Sequence, residues 1–393
     1  MKKLPYGKHF IDKSDIEAVV KVLESDNLTQ GPIISEYEKK FANYVGSKYA
    51  VAVSSCSAGL HLSAIALNLK QNDYFVTSPI TFVSSAAAGL HIGANVIFCD
   101  IDINTVNISL DRLEEIIKLQ NIKLIIPVHF AGLPCDMSKL NLLKNKYGFK
   151  ILEDAAHALG SSYSNGQKVG SGSYSDACVF STHPVKTIAT GEGGMITTND
   201  EKVYKGLLRL RSHGINKEDD QFINKENAFS DGKRNLWYYE MRELGYHYRI
   251  TDIQAALGIS QLNKIDSFIK KRKDIVNYYN SKLHEIPNCN NSQKISDLSS
   301  NHIFVISLDL NLIGKTKNDI MREFRDYNII TQVHYMPLPM HPYFNKLGYS
   351  LDNIPNAVKY FNNALSIPCY YSLSFDDQKF VINAAKKILK SIL

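Results

Sequence analysis

Cysteine is scarce in this chain: six among 393 residues, at Cys56, Cys99, Cys135, Cys178, Cys289 and Cys369. None forms a C-x-x-C pair, and most lie in apolar strands or site-like loops. That excludes a disulfide frame and a zinc site, and it points to a reducing compartment. Blocks of five or six like charges are also missing. The net charge of +6 is spread along the chain. It suits an anionic small substrate or a plain solvated lysine-rich surface, and it is not a nucleic-acid footprint. No apolar run approaches the ~18 residues of a membrane span. The opening MKKLPYGKHF carries two lysines with no apolar core behind them, so no secretory leader is read there. A cytoplasmic protein is expected. Internal repeats, coiled-coil heptads and low-complexity tracts are absent. Nucleotide fingerprints fail as well. Gly170-Ser171-Gly172 precedes a strand instead of following one, Gly191 to Gly194 lies between two strands, and there is no P-loop.

What is present is an ordinary globular balance, 44% apolar and 21% charged, in a length that suits roughly two domains. Ser14 and Glu17 read as a capping box opening a helix, and a second helix covers Ile34 to Val45. Strands follow at Tyr49 to Ser54, Tyr74 to Ser78, Asn95 to Asp100, Lys123 to Val128, Phe149 to Glu153, Ala177 to Phe180 and Met195 to Thr198, the first five separated by helices. This rhythm predicts an α/β fold with a mostly parallel seven-stranded sheet. Lys217 to Asn235 reads as a polar surface excursion. A long amphipathic helix from Thr251 to Leu283 reads as a domain connector. Beyond it, strands near His302 to Leu308 and Ile329 to Val333, with helices near Lys317 to Tyr327, Ile354 to Leu365 and Phe375 to Ile392, predict a smaller α+β domain.

In open α/β sheets ligands bind beyond the carboxyl ends of the strands. Ser55-Cys56-Ser57-Ala58-Gly59 follows the first strand and opens a helix, a phosphate cradle or simply an N-cap. Phe82 follows the second strand and either faces the crevice or packs in the core. Glu153-Asp154 ends a buried strand, where an acid is costly without a cationic partner. Lys186 follows the next strand, between Ser181-Thr182-His183-Pro184 and the turn Gly191-Glu192-Gly193-Gly194. It reads either as a surface loop lysine or as a desolvated amine able to form a Schiff base. A lysine, an acid, a phosphate cradle and an aromatic at one sheet edge match pyridoxal phosphate chemistry, in which the acid keeps the pyridine nitrogen protonated.

With these residues placed, the sequence resembles the DegT/DnrJ/EryC1/StrS sugar aminotransferases, which have the fold type I pyridoxal phosphate architecture. The motifs are SCSAGLHL at 55–62, SPITFVSSA at 78–86, EDAAHALG at 153–160, FSTHPVKTIATGEGG at 180–194, LRSHGI at 210–215 and ELGYHYRITDIQAALG at 243–258. The resemblance implies that Lys186 carries the cofactor and the shifting proton. It implies that Asp154 pairs with the ring nitrogen, that His157 (often Gln in the family) sits near the ring hydroxyl, and that Ser57 and Ser181 bind the phosphate. Phe82 would stack on the ring. Cys56 stands where Gly or Ala is usual. His247 stands where Asn usually reaches the neighbouring subunit's phosphate, which implies a homodimer with shared sites. Within the family, HPVK at 183–186, Tyr6, LTQGP at 28–32, SSNH at 299–302, QVHYMPLP at 332–339 and LSIPCY at 365–370 look most like the transaminases of pseudaminic acid biosynthesis. Those move the amino group of L-glutamate to C4 of a UDP-linked 4-keto-6-deoxy-N-acetylhexosamine. By that resemblance Tyr6, Asn27, Leu28, Thr29, His183, Gln332, His334 and Tyr335 contact substrate, although strand-end packing also accounts for His334 and Tyr335. Residues 1–30 would then be a segment contributing to the site, 31–255 the cofactor-binding domain, and 256–393 the connector helix and small domain. No metal is implied.

Overall fold

Seven buried stretches rich in valine, isoleucine and phenylalanine pair into one sheet. They are β1 (Tyr49–Val53), β2 (Tyr74–Thr77), β3 (Asn95–Phe98), β4 (Ile122–Ile126), β5 (Lys150–Asp154), β6 (Ala177–Ser181) and β7 (Gly194–Thr198). The spatial order is β1-β7-β6-β5-β4-β2-β3. All neighbours are parallel except those of β7, which runs antiparallel to both β1 and β6. The computed structural model giving this arrangement describes residues 2–217 and 222–390. Side chains alternate across each strand, so Ala50 and Ala52 enter one core while Val51 and Val53 enter the other. Both faces are covered by helices, as a sheet with buried strands on both sides requires.

The expected seven-stranded α/β sheet is present, with sharper boundaries elsewhere. The first helix is Lys13–Leu23 and is capped by Asp12, not Ser14. Asp12 accepts from the Asp15 amide and Asp15 reaches back to the Asp12 amide, so the capping box sits two residues earlier than the Ser14–Glu17 reading. The Ser14 hydroxyl instead donates to Asp12 at 2.6 Å. The long connector helix is two helices, Asp252–Leu262 and Ile265–Lys282. The break at Asn263–Lys264 lets Lys264 reach Asp12 and Asp15, at 2.9 and 2.7 Å. Residues 218–221, within the expected polar excursion, and 391–393, which include the end of the helix expected to reach Ile392, lie outside the described residues.

The C-terminal part builds a second, antiparallel sheet from Cys289–Asn291, Phe304–Leu308 and Ala364–Ile367. Ala364 and Leu365 were expected at the end of a helix that began near Ile354. Pro368 forces the residue before it into an extended conformation, and Ala364–Ile367 is fully buried as a strand. Only Ile329–Ile330 of the expected strand forms, pairing in parallel with Leu4–Pro5. The residues after it, 331–336, form a loop that turns back over the carboxyl ends of the main sheet. Among the described residues no helix is long and apolar enough to cross a membrane.

Candidate active site

The loop that follows β6 is closed at its base. The Thr182 amide donates to Gly193 O at 3.0 Å, the Thr190 amide donates to Thr182 O at 2.9 Å, and the two threonine hydroxyls bond at 2.6 Å. This clamp presents Lys186 from an ordered turn, its amide donating to His183 O at 2.8 Å. The side chain enters a cavity of about 660 Å³. Burial lowers its pKa to about 8, partly opposed by Cys56 and Asp154. Half of the amines are therefore neutral near pH 8. Capture of pyridoxal phosphate by the apoprotein, followed by absorbance, should accelerate about ten-fold per pH unit below 8 and level off above it. A rate that keeps climbing to pH 10 would place Lys186 in water.

Strand alternation separates the two acids at the end of β5. Glu153 turns away from the cavity into a buried network, 2.6 Å from His129 Nε2 and 2.8 Å from the Tyr163 hydroxyl. Asp154 faces the cavity and is 5% exposed. Its Oδ2 accepts from the Ser85 hydroxyl at 2.6 Å and its Oδ1 from the Ala156 amide at 3.1 Å. Both donors are neutral, and among the described residues Asp154 makes no ion pair. Burying a carboxylate is costly, and the Lys186 amine across the cavity offsets that cost only in part. A cationic ring placed in the cavity removes that cost.

The cradle forms as the residue pattern requires. Ser55 caps the helix Cys56–Ala66, its hydroxyl accepting from the Ala58 amide at 3.1 Å. The amides of Cys56 and Ser57 have no acceptor inside the helix. Ser57 Oγ lies 2.5 Å from Ser84 Oγ, and Ser181, at the end of β6, faces the same wall. A Cβ at Gly194 would lie 2.7 Å from the Cys56 nitrogen and from the Ser55 carbonyl. The glycine turn therefore lets β7 press against the cradle. The groups present fit pyridoxal phosphate: amide and hydroxyl donors for its phosphate, a buried carboxylate held by neutral donors for its ring nitrogen, and a desolvated amine for its aldehyde.

The other wall comes from the C-terminal part. Gln332 and Ser366 exchange backbone bonds of 3.1 and 2.8 Å, and Ser366 Oγ lies 2.8 Å from His334 Nδ1. This pins the loop over the sheet. Tyr335 brings its hydroxyl to 3.2 Å from His157 Nε2, with the two rings inclined at 21°. Burial pushes the pKa of His157 far down and that of Tyr335 up, and it holds His334 at about 3, so all three stay neutral. His157 Nδ1 is buried without a partner. The Tyr6 ring meets His334 edge-on at 5.0 Å.

Of the residues expected in the site, Lys186, Asp154, His157, Ser57, Cys56, Ser181, Phe82, Tyr6, His183, Gln332, His334 and Tyr335 line this one cavity. Phe82 stands at its lip, 59% exposed. Asn27, Leu28, Thr29 and His247 do not line it. All four are exposed. Thr29 pairs with Thr251, and the His247 Nε2 lies 2.9 Å from the Arg249 guanidinium. Ser84, Glu192 and His341 line the cavity without having been anticipated. Ser84 stood beside Phe82 in a motif already noted. His341 carried no signal, because its position depends on how the 332–340 loop folds back.

The profile of the DegT/DnrJ/EryC1/StrS aminotransferase family matches residues 9–386. The spore coat polysaccharide biosynthesis protein SpsC of Bacillus subtilis is 39% identical over 98% of this chain and 97% of its own. The UDP-4-amino-4,6-dideoxy-N-acetyl-beta-L-altrosamine transaminase of Campylobacter jejuni is 35% identical over 99% of this chain and 98% of its own. Among solved structures, Helicobacter pylori PseC, described as an aminotransferase in pseudaminic acid biosynthesis, superposes with a TM-score of 0.88 at 28% identity, covering 99% of both chains. With the lysine, the acid and the cradle on one sheet edge, this chain belongs to the DegT/DnrJ/EryC1/StrS family of sugar aminotransferases, which depend on pyridoxal phosphate.

Proposed function

We propose that the protein transfers the amino group of L-glutamate to C4 of a UDP-linked 4-keto-6-deoxy-N-acetylhexosamine, yielding 2-oxoglutarate and the 4-amino sugar. The observation that carries this reading is a desolvated Lys186 in one cavity with a buried Asp154 held by neutral donors, in a chain alike over its whole length to the altrosamine transaminase. Bound pyridoxal phosphate supplies the aldehyde that ferries the amino group and the ring that withdraws electrons. The chain's residues do the rest. Lys186 Nζ takes and returns the proton of the 1,3-shift in both half-reactions, which its pKa near 8 suits. Asp154 keeps a proton on the ring nitrogen. The amides of Cys56 and Ser57, with the hydroxyls of Ser57 and Ser181, hold the phosphate. Neutral His157 would sit near the ring hydroxyl, and Phe82, at the cavity lip, would stack on the ring.

Tyr6, His183, Gln332, His334 and Tyr335 hold the sugar nucleotide on the C-terminal side of the cavity. Exposure of Asn27, Leu28, Thr29 and His247 outside it supports a homodimer in which these residues complete the partner's site. The functional division would be residues 1–30 as a site segment, 31–255 as the cofactor domain, and 256–393 as the connector and small domain. The protein would act in the cytoplasm.

A second reading is transfer to a different nucleotide ketosugar, since the chain is 39% identical to SpsC, whose name gives a spore coat polysaccharide and no altrosamine, against 35% to the altrosamine transaminase. An amination assay with glutamate against UDP-, GDP- and dTDP-linked 4-ketosugars, read by product mass, separates the two. The proposal expects a mass consistent with amination from the UDP-N-acetyl sugar and at least ten-fold slower turnover of the others. Preference for a dTDP or GDP sugar would establish the second reading.

A further inference from the structure

Ser85 lies one layer behind the cavity and is fully buried. Its hydroxyl is 2.6 Å from Asp154 Oδ2 and 2.6 Å from the Thr81 hydroxyl, with a longer 3.4 Å contact to Phe82 O. An ionised carboxylate only accepts, so Ser85 gives its single proton to Asp154. Its oxygen must then accept from Thr81. The result is a directed chain, Thr81 to Ser85 to Asp154, in a dry environment where each bond polarises the next. One residue earlier, Ser84 bonds Ser57 in the phosphate cradle. The stretch 81–85 thus ties the acid and the cradle to one short piece of backbone.

We propose that Ser85 is a positioning residue for Asp154, oriented in turn by Thr81. It fixes which carboxylate oxygen faces the cavity, where that oxygen would hold a proton on the cofactor's ring nitrogen. This rests on the pyridoxal phosphate reading and deepens it. A hydrogen bond to a charged group is worth enough to change an equilibrium by about ten-fold or more. In Ser85→Ala, Asp154 retains only the Ala156 amide, and its hold on the ring proton weakens. Both half-reactions need the protonated ring, so the glutamate half-reaction should slow in its forward and its reverse direction.

The test uses the holoenzyme reconstituted with pyridoxal phosphate labelled with ¹⁵N in the ring. The wild type should give a protonated-nitrogen resonance. Ser85→Ala should shift it toward the unprotonated position and lower kcat about ten-fold with both glutamate and 2-oxoglutarate, with each KM unchanged within two-fold. Ser85→Cys, which keeps the shape with a weaker donor, should fall between the two, and it carries the test if the alanine variant melts too low. An unchanged ¹⁵N resonance in either folded variant, with kcat within two-fold of wild type, would overturn the proposal. An unprotonated ring nitrogen in the wild type would overturn the role of Asp154 as well.

Discussion

Lys186→Ala should lower amine transfer by about 10⁴-fold or more, the upper range for removing a positioned acid–base group that also captures the cofactor. The loss falls on kcat in both half-reactions, because the same Nζ moves the proton in each direction. The variant should still bind pyridoxal phosphate through the Ser57 and Ser181 wall and through Asp154, none of which depends on the lysine. Absorbance then separates the two roles. The wild type acquires a visible band that glutamate bleaches within a turnover, and the variant holds the cofactor as the free aldehyde and bleaches slowly if at all. Exogenous methylamine should restore part of the rate, since a small amine fits the volume vacated by the side chain. Turnover of Lys186→Ala near the wild-type rate would remove the lysine from the chemistry.

The sheet was legible because its code is local. Each strand is a short apolar run closed by a polar or glycine-rich turn, and seven such runs are the seven strands found. The cavity was legible for a related reason: in such a sheet the residues just past the strands converge, so Ser57, Phe82, Asp154 and Lys186 could be grouped by position alone. What could not be read depends on contacts between distant segments. Helix Asp252–Leu262 breaks from Ile265–Lys282 where Lys264 meets Asp12 and Asp15, some 250 residues away in sequence. Ala364–Ile367 is as apolar as a buried helix turn, and only its pairing with Phe304–Leu308 makes it a strand. The resemblance itself chooses Asp154 over Glu153, and the alternation of β5 agrees, turning Glu153 to His129 and Asp154 to the cavity. Ser85 escaped notice because a serine in a run of small residues gives no sign of the carboxylate it will meet 69 positions later.

Asp154→Asn should lower kcat by ~10³-fold while leaving the fold intact. The amide has the carboxylate's shape, and its oxygen can keep the Ala156 bond while its NH2 donates to Ser85 once the Ser85–Thr81 bond reverses, but it carries no charge. A neutral amide does not hold a proton on a pyridine nitrogen at pH 7. The ring then withdraws electrons poorly, and the bond that Lys186 must break to hydrogen stays strong. Cofactor affinity should fall much less, because the phosphate contacts at the cradle remain. The burial argument adds an opposite expectation for the apoprotein. Asp154 is a buried carboxylate held by two neutral donors. Replacing it by asparagine removes the desolvation penalty of that charge, so the apo variant should melt no lower than the apo wild type. Loading with pyridoxal phosphate should raise the melting temperature of the wild type more than that of the variant, since only the wild type gains a buried ion pair on binding. A variant that loses kcat but gains as much stability from the cofactor as the wild type would mean that Asp154 acts on the reaction by some route other than the ring nitrogen.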